Sequence, residues 1–137
     1  MCISNPESYV LFFDGCSKGN PGNAGAGAVL YKNEEETWSQ SLMVGIKQTN
    51  NYAEYMGLII GLEEAVRLRI IKLIVKGDSL LVIKQMKGEY KVKSPNIIEL
   101  YNRAMTLANQ LPKVEFIHVY RKYNKRADAL SNEALKP

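Results

Sequence analysis

Five consecutive apolar or aromatic residues, Tyr9-Val10-Leu11-Phe12-Phe13, follow a polar start. A short continuous run of this kind predicts a buried strand. It stops at Asp14. A glycine-rich stretch follows, and a second apolar segment runs from Ala24 to Tyr31. Asp and Gly both tolerate positive φ, so Asp14-Gly15 is expected to open a hairpin turn. The charged group Asn33-Glu34-Glu35-Glu36 predicts the next turn. Thr37 to Gly45 then alternates, with Trp38, Gln40, Leu42 and Val44 on one face. The first third of the chain therefore reads as a three-stranded antiparallel meander.

After Thr49-Asn50-Asn51 the period changes. Tyr55, Leu58, Ile59, Leu62, Ala65 and Val66 recur at helical spacing and predict a helix to about Arg69. Gly57 and Gly61 fall four apart on it and are expected to allow close packing. Ile70 to Gly77, centred on Leu73-Ile74-Val75, predicts a fourth strand. It runs into Asp78-Ser79 and a short helix from Leu80 to Lys87, ended by Gly88. Ser94-Pro95 opens another helix, with Ser as cap and Pro at the first helical position. Its core face is Ile97, Ile98, Tyr101, Ala104, Met105, Ala108 and Leu111, and Pro112 stops it. Val114 to Tyr120 predicts a fifth strand, and a last helix begins at Asn124. A meander followed by strand–helix units implies an α/β fold: a mixed sheet with helices on both faces.

Composition narrows the class. The chain has 137 residues, 46% apolar and 23% charged, the profile of one domain with a real core. No apolar run approaches the roughly 20 residues of a membrane helix. The start, MCISNPES, lacks the basic-then-apolar order of a secretory leader. The expectation is an intracellular, non-secreted protein without membrane attachment. It would have a short, loosely ordered tail over residues 1–8 and a single domain over 9–137. Cys2 and Cys16 form no metal-like spacing, and a reducing setting is the default. The net charge of +4 is compatible with a polyanionic partner and does not demand one.

The chemistry lies in four acids. Asp14 is expected to end strand one and Asp78 strand four, and ligands of open α/β sheets sit at the carboxyl ends of strands. A right-handed crossover brings those two strands side by side. Glu54 lies three residues after Asn51 in the long helix, and Asp128 in the first turn of the last one. Each has a local explanation. Asp14 could belong to a turn, Asn51 and Glu54 to a capping box, Asp78 to a cap, and Asp128 to the positive end of its helix. Together they converge on one sheet edge. Carboxylates packed this way hold protons unless a cation neutralises them. Oxygen-only donor sets suit Mg²⁺ or Mn²⁺. Two such ions roughly 3.5–4 Å apart clamp a phosphodiester.

The segments DGCSKGNPGNAGAGAV, NNYAEYMGLIIGLEEA, VKGDSLLVIKQMKGEYKVKSP and HVYRKYNKRADALSNEA, in this order, resemble the blocks of type 1 ribonuclease H. They look most like its short, reverse-transcriptase-like members, and the resemblance spans Tyr9 to Leu135. It implies the three-layer ribonuclease H-like fold, with a five-stranded sheet ordered 3-2-1-4-5 and strand 2 antiparallel to the rest. It implies that Asp14, Glu54, Asp78 and Asp128 are both catalytic and metal-binding. Two Mg²⁺ ions would bind with substrate, Asp14 between them, and Mn²⁺ is a substitute. The implied reaction hydrolyses the RNA strand of an RNA–DNA hybrid to 3′-hydroxyl and 5′-phosphate ends, carried out by a monomer. Gly15, Ser17 and Asn20 would approach a ribose, and Asn50 and Asn51 would read the minor groove and the 2′-hydroxyls. Thr49 matches a position that contacts a DNA phosphate, and Ser79 joins the substrate-binding set.

The chain also departs from the pattern. Leu80 stands where many members have a minor-groove Gln. Many members have a histidine in the loop before the fourth acid that assists proton transfer or product release; the only histidine here, His118, falls in a strand, and a structural role is expected of it. Arg121 and Lys122 are candidates to assist in its place, by attracting phosphate or easing product release. A basic protrusion is replaced by the short stretch Gly88 to Lys93. Lys84, Lys87, Lys91 and Lys93 remain as a local positive cluster able to meet backbone phosphates. A non-catalytic binding module on the same fold would typically have lost acids, and all four are present. Activity on double-stranded RNA is not excluded by sequence.

Overall fold

Residues 8–136 of a computed structural model are described. The expected N-terminal tail, Cys2 included, lies outside them apart from Ser8. The elements are β1 (Tyr9–Lys18), β2 (Gly22–Lys32), β3 (Glu35–Gln48), α1 (Asn50–Arg67), β4 (Lys72–Gly77), α2 (Leu80–Met86), α3 (Pro95–Ala108), β5 (Lys113–His118) and α4 (Lys125–Glu133). A 3₁₀ turn, Arg121–Tyr123, precedes α4. The sheet order is β3-β2-β1-β4-β5. β2 runs antiparallel to its neighbours, and β4 and β5 run parallel with β1. The α/β mixed-sheet expectation and the strand order both hold.

The first hairpin differs from expectation in a way that matters. β1 does not stop at Asp14 but continues to Lys18, paired with β2 from Tyr9↔Lys32 to Lys18↔Asn23. The turn lies beyond it, at residues 19–21. What ends near Asp14 is the pairing with β4, whose last partners are Phe13 and Gly77. Asp14 therefore stands inside a strand, at the fork where β1 leaves its parallel neighbour. The glycines mark close contacts rather than a turn. A Cβ on Gly27 would stand 2.6 Å from the Ala127 carbonyl oxygen, and one on Gly15 would overlap the α1 backbone at Ala53 and Glu54.

The other boundaries move for local reasons. Asn33 and Glu34 form a two-residue loop with φ of 51° and 71°, the positive pair a tight hairpin loop needs, so β3 starts earlier than expected. The cap of α1 is Thr49, not Asn51: its hydroxyl accepts from the Tyr52 N–H at 3.1 Å. Ser94 holds the N-cap position of α3 without a side-chain bond, with Pro95 behind it. Ile98, expected in the α3 core face, is 38% exposed because the buried stripe runs through Ile97, Ala104 and Ala108.

The main core lies between the sheet and α1–α3, built on Leu11, Phe13, Leu30, Tyr55, Leu58, Leu62, Leu73 and Val75. A smaller cluster on the other face packs Val29 against Ala127 and Leu130 of α4. Gly57 brings α1 onto the sheet above the first acid: a Cβ there would stand 2.5 Å from the Asp14 carbonyl oxygen and 3.0 Å from that of Gly27. The close packing expected of the α1 glycines is present, and it presses α1 against the acid-bearing strand.

Candidate active site

Each acid arrives from a different element. Asp14 comes from the fork in β1, Glu54 from the second turn of α1, Asp78 from just beyond β4, and Asp128 from the first turn of α4. One carboxylate oxygen from each of Asp14, Glu54 and Asp78 lies within 4.8 Å of the others. The Asp14 carboxyl is within hydrogen-bonding reach of both Glu54 and Asp128. All four acids line one open cleft of about 450 Å³. Local chemistry leaves them unspent. Ser79 caps α2, its hydroxyl accepting from the Val82 N–H at 3.2 Å, so Asp78 does not cap that helix. Thr49 caps α1, so Glu54 has no capping-box partner in Asn51.

Burial and crowding both act on these groups. Asp14 is 4% exposed and Glu54 9%. Burial, reinforced by the Asp78 charge, pushes the Asp14 carboxyl up to about 8. Burial first, then the Asp14 charge, holds Glu54 well above the ordinary carboxylate range. Asp78 is also raised, chiefly by burial; a hydrogen bond from Asn124 opposes the rise. No lysine or arginine is buried beside them among the described residues. One oxygen of Glu54, Oε2, is buried with no hydrogen-bond partner. Clustered hard oxygen donors, one of them orphaned, fit a divalent cation.

Asp128 is held from outside. Its carboxylate lies 3.7 Å from Arg121, and the Asn132 amide donates to its Oδ1 at 3.4 Å and to its carbonyl at 2.9 Å. Three of the expected substrate residues form a clasp. The Ser17 N–H donates to Asn50 Oδ1 at 2.6 Å, the Ser17 hydroxyl to the Gln48 carbonyl at 2.7 Å, and the Asn50 N–H to Asn20 Oδ1 at 3.0 Å. This ties the hairpin to the start of α1 and seats Gly15 against Glu54. Gly15, Ser17, Asn50 and Arg121 line the cleft; Asn20, Thr49, Asn51 and Ser79 stand outside its lining.

The remaining basic candidates point elsewhere. Lys122 turns away, its ammonium 4.9 Å from the Tyr123 ring centre. Lys84 sits 5.3 Å from the Tyr90 ring centre, and Lys87 pairs with Glu89 at 3.7 Å. His118 lies in β5 with Nε2 3.3 Å from the Asp78 carbonyl oxygen, the structural placement expected of it.

Four residues near the site escaped the sequence reading: Cys16, Lys18, Asn124 and Asn132. Cys16 and Lys18 share the Asp14 face of β1 by the two-residue period of a strand, once β1 is known to continue. Asn132 lies four residues after Asp128, on the same helix face, and accepts from Lys18 Nζ at 2.9 Å. Asn124 is 1% exposed and donates to the Phe13 carbonyl at 2.9 Å, beneath the fork.

The family model described as reverse transcriptase-like matches residues 12–134. The chain belongs to the ribonuclease H family. It is 32% identical over 143 residues to the ribonuclease H of Pseudomonas savastanoi pv. phaseolicola, covering 94% of this chain and 93% of that protein. It is 43% identical over 127 residues to bifunctional protein Rv2228c of Mycobacterium tuberculosis, covering 92% of this chain and 35% of that one. The chain thus spans about a third of the length of that relative. The solved N-terminal RNase H domain of the same mycobacterial protein superimposes with a TM-score of 0.90 at 41% identity, covering 94% of each chain. LC11-RNase H1, solved in complex with an RNA/DNA hybrid, gives a TM-score of 0.87 at 34% identity, over 93% of this chain and 96% of that one. In this fold the forked strand β1 is the central strand of the sheet.

Proposed function

We propose that this chain is a divalent-metal-dependent endonuclease that hydrolyses the RNA strand of RNA–DNA hybrids, leaving 3′-hydroxyl and 5′-phosphate ends. The observation that carries this reading is the convergence of four carboxylates on one open cleft, two of them buried with no buried cation beside them among the described residues. The hybrid bound to LC11-RNase H1, a relative of the same fold, supports the choice of substrate.

Asp14, Glu54, Asp78 and Asp128 would hold two Mg²⁺ ions, or Mn²⁺ in their place. Such ions lower the pKa of an attacking water and stabilise the leaving 3′-oxygen. Asp14, reached by the other carboxyls, takes the shared central position. Glu54 is carried on α1, which Gly57 packs against the Asp14 strand and the clasp ties to the hairpin. Asp128 is half-buried, within reach of the Asp14 carboxyl and held from the solvent side by Arg121 and Asn132, and would adjust as substrate enters and product leaves. Arg121, with 79% of its side chain exposed, is placed to attract a phosphate. Gly15, Ser17, Asn20, Asn50 and Asn51 would present backbone and amide groups to the RNA ribose. Thr49 and Ser79 lie at helix starts suited to phosphate. The chain would act as a monomer inside the cell.

The test is direct. End-labelled RNA–DNA hybrid, double-stranded RNA and double-stranded DNA are incubated with the protein in Mg²⁺, in Mn²⁺ and in chelator. Cleavage of the hybrid RNA strand alone, lost in chelator, is expected. No cleavage of any substrate would reject the reading, and cleavage surviving in Asp14→Asn would reject the assigned roles.

A further inference from the structure

The larger of the two cavities flanking the Arg121–Tyr123 turn is not the acid cleft. On the α4 face of the sheet a groove of about 530 Å³ opens over β1 and β4, within the size range of small-ligand sites. Phe12 and Tyr31 form its floor, edge to face with ring centres 5.6 Å apart. Lys76 of β4, Lys122 of the turn and Lys125 of α4 stand around it. None of the three is ion-paired among the described residues. Glu34 is the one acid among its described lining residues, and Arg126 is already engaged by Glu36.

The lysines and the rings are arranged together. Lys76 Nζ lies 5.6 Å from the Phe12 ring centre, and Lys122 Nζ 4.9 Å from that of Tyr123, which is 62% exposed. Cations beside accessible aromatic faces are the two elements from which sequence-tolerant single-strand sites are made: backbone phosphates meet the charges and bases stack on the rings. An acidic peptide would use the lysines and leave the rings idle. The first turn of α4 forms one wall, and its positive end adds to the same field. The turn itself joins the two clefts, with Arg121 lining the acid cleft and Lys122 lining this groove.

We propose that this groove is a second nucleic-acid site that binds a single strand, stacking a base on Tyr123 and Phe12 and holding phosphates with Lys76, Lys122 and Lys125. A strand leaving a duplex seated in the acid cleft reaches it by crossing one short turn. Binding here needs no metal and no cleavage, so it stands or falls separately from the catalytic reading.

Binding of a short fluorescein-labelled oligothymidine is measured by anisotropy in chelator at low salt. Wild type and Asp14→Asn are expected to bind alike. The variant Lys76→Ala/Lys125→Ala/Tyr123→Ala is expected to bind at least about tenfold more weakly. Thermal melting checks its folding. Should it fail to fold, Tyr123→Ala against Tyr123→Phe decides: the exposed ring tolerates either change, and only Phe retains stacking. A 4-thiothymidine strand is expected to cross-link to Tyr123 or Phe12. The proposal is overturned by absence of binding, by equal binding in the groove variants, or by cross-links confined to the acid cleft. It is equally overturned if polyglutamate displaces the strand as well as unlabelled oligothymidine does.

Discussion

Two clefts of opposite charge lie on either side of the Arg121–Tyr123 turn, and they are built under opposite conditions. In the acid cleft the charges are crowded and mostly out of water, with Asp14 4% and Glu54 9% exposed. In the groove the lysines reach solvent, and Lys76 and Lys122 stand over aromatic rings. Ionising buried, like-charged groups opposes folding. Exposed lysines impose almost no such cost. The acid cleft therefore works against the stability of the metal-free protein, and the basic groove is nearly neutral to it. That difference can be measured without knowing either ligand.

The largest expected effect separates activity from stability. Glu54→Gln removes one metal-binding carboxylate and should lower hybrid cleavage by at least about 10²–10³-fold, the scale of losing one electrostatic anchor of a transition state. The same change should raise Tm in chelator at neutral pH, because an amide in that buried position carries no charge to desolvate. If Tm falls instead, the acids are held for structure and the contrast between the clefts is mistaken.

A pH series sharpens the same point. The folded Asp14 carboxyl titrates at about 8, above its ordinary value of 3.8, and Glu54 and Asp78 are displaced in the same direction. The native state therefore binds the protons more tightly than the unfolded chain does. The stabilisation is complete below about pH 4 and declines as pH rises through about 8. Thermal melts across this range in chelator should show Tm falling with pH. Added Mg²⁺ should flatten the upper part, since a bound cation replaces the protons and favours the folded state. A chelator profile that stays level would contradict the assignment.

Beneath both clefts lies Asn124, whose amide donates to the Phe13 carbonyl at 2.9 Å where β1 and β4 part. Asn124→Ala leaves that acceptor buried and unpaired, and should cost about 1–3 kcal/mol in urea unfolding. It should also reduce cleavage by loosening Asp78, which Asn124 hydrogen-bonds as well. Gly57→Ala tests the opposite side of the fork, with a similar cost from overpacking against the Asp14 carbonyl.

These residues also show what the sequence made legible. Strand order and the long helix follow from periodicity and the family resemblance, because burial of one face dictates where apolar residues recur. The four acids were visible through the family blocks and their expected convergence on one sheet edge, since each one alone has an ordinary local explanation. Asp14 was misplaced by a strand–turn ambiguity: Asp-Gly reads as a turn, yet here Gly15, Gly25 and Gly27 exist to admit α1 and α4 against the sheet. A glycine needed for close approach and one needed for a turn look the same in sequence. Asn124 and Lys18 were illegible for a related reason. Their partners, the Phe13 carbonyl and Asn132, are over 100 residues away in the chain. The groove was hidden altogether, because Phe12, Lys76 and Tyr123 come from three separate elements.

The smallest expected effect tests the other half of the comparison. Arg126 borders the basic groove and makes a two-pronged ion pair with Glu36, at 2.9 and 3.2 Å. Both side chains are well exposed, 44% and 37%. A pair in this setting is screened by water and salt and is worth less than about 1 kcal/mol. Arg126→Ala should therefore leave urea unfolding changed by less than that. Its effect should shrink further at high salt. A loss of several kcal/mol would mean that the groove wall is a structural device like the fork. The charges on the two sides of the Arg121–Tyr123 turn would then differ in sign but not in kind.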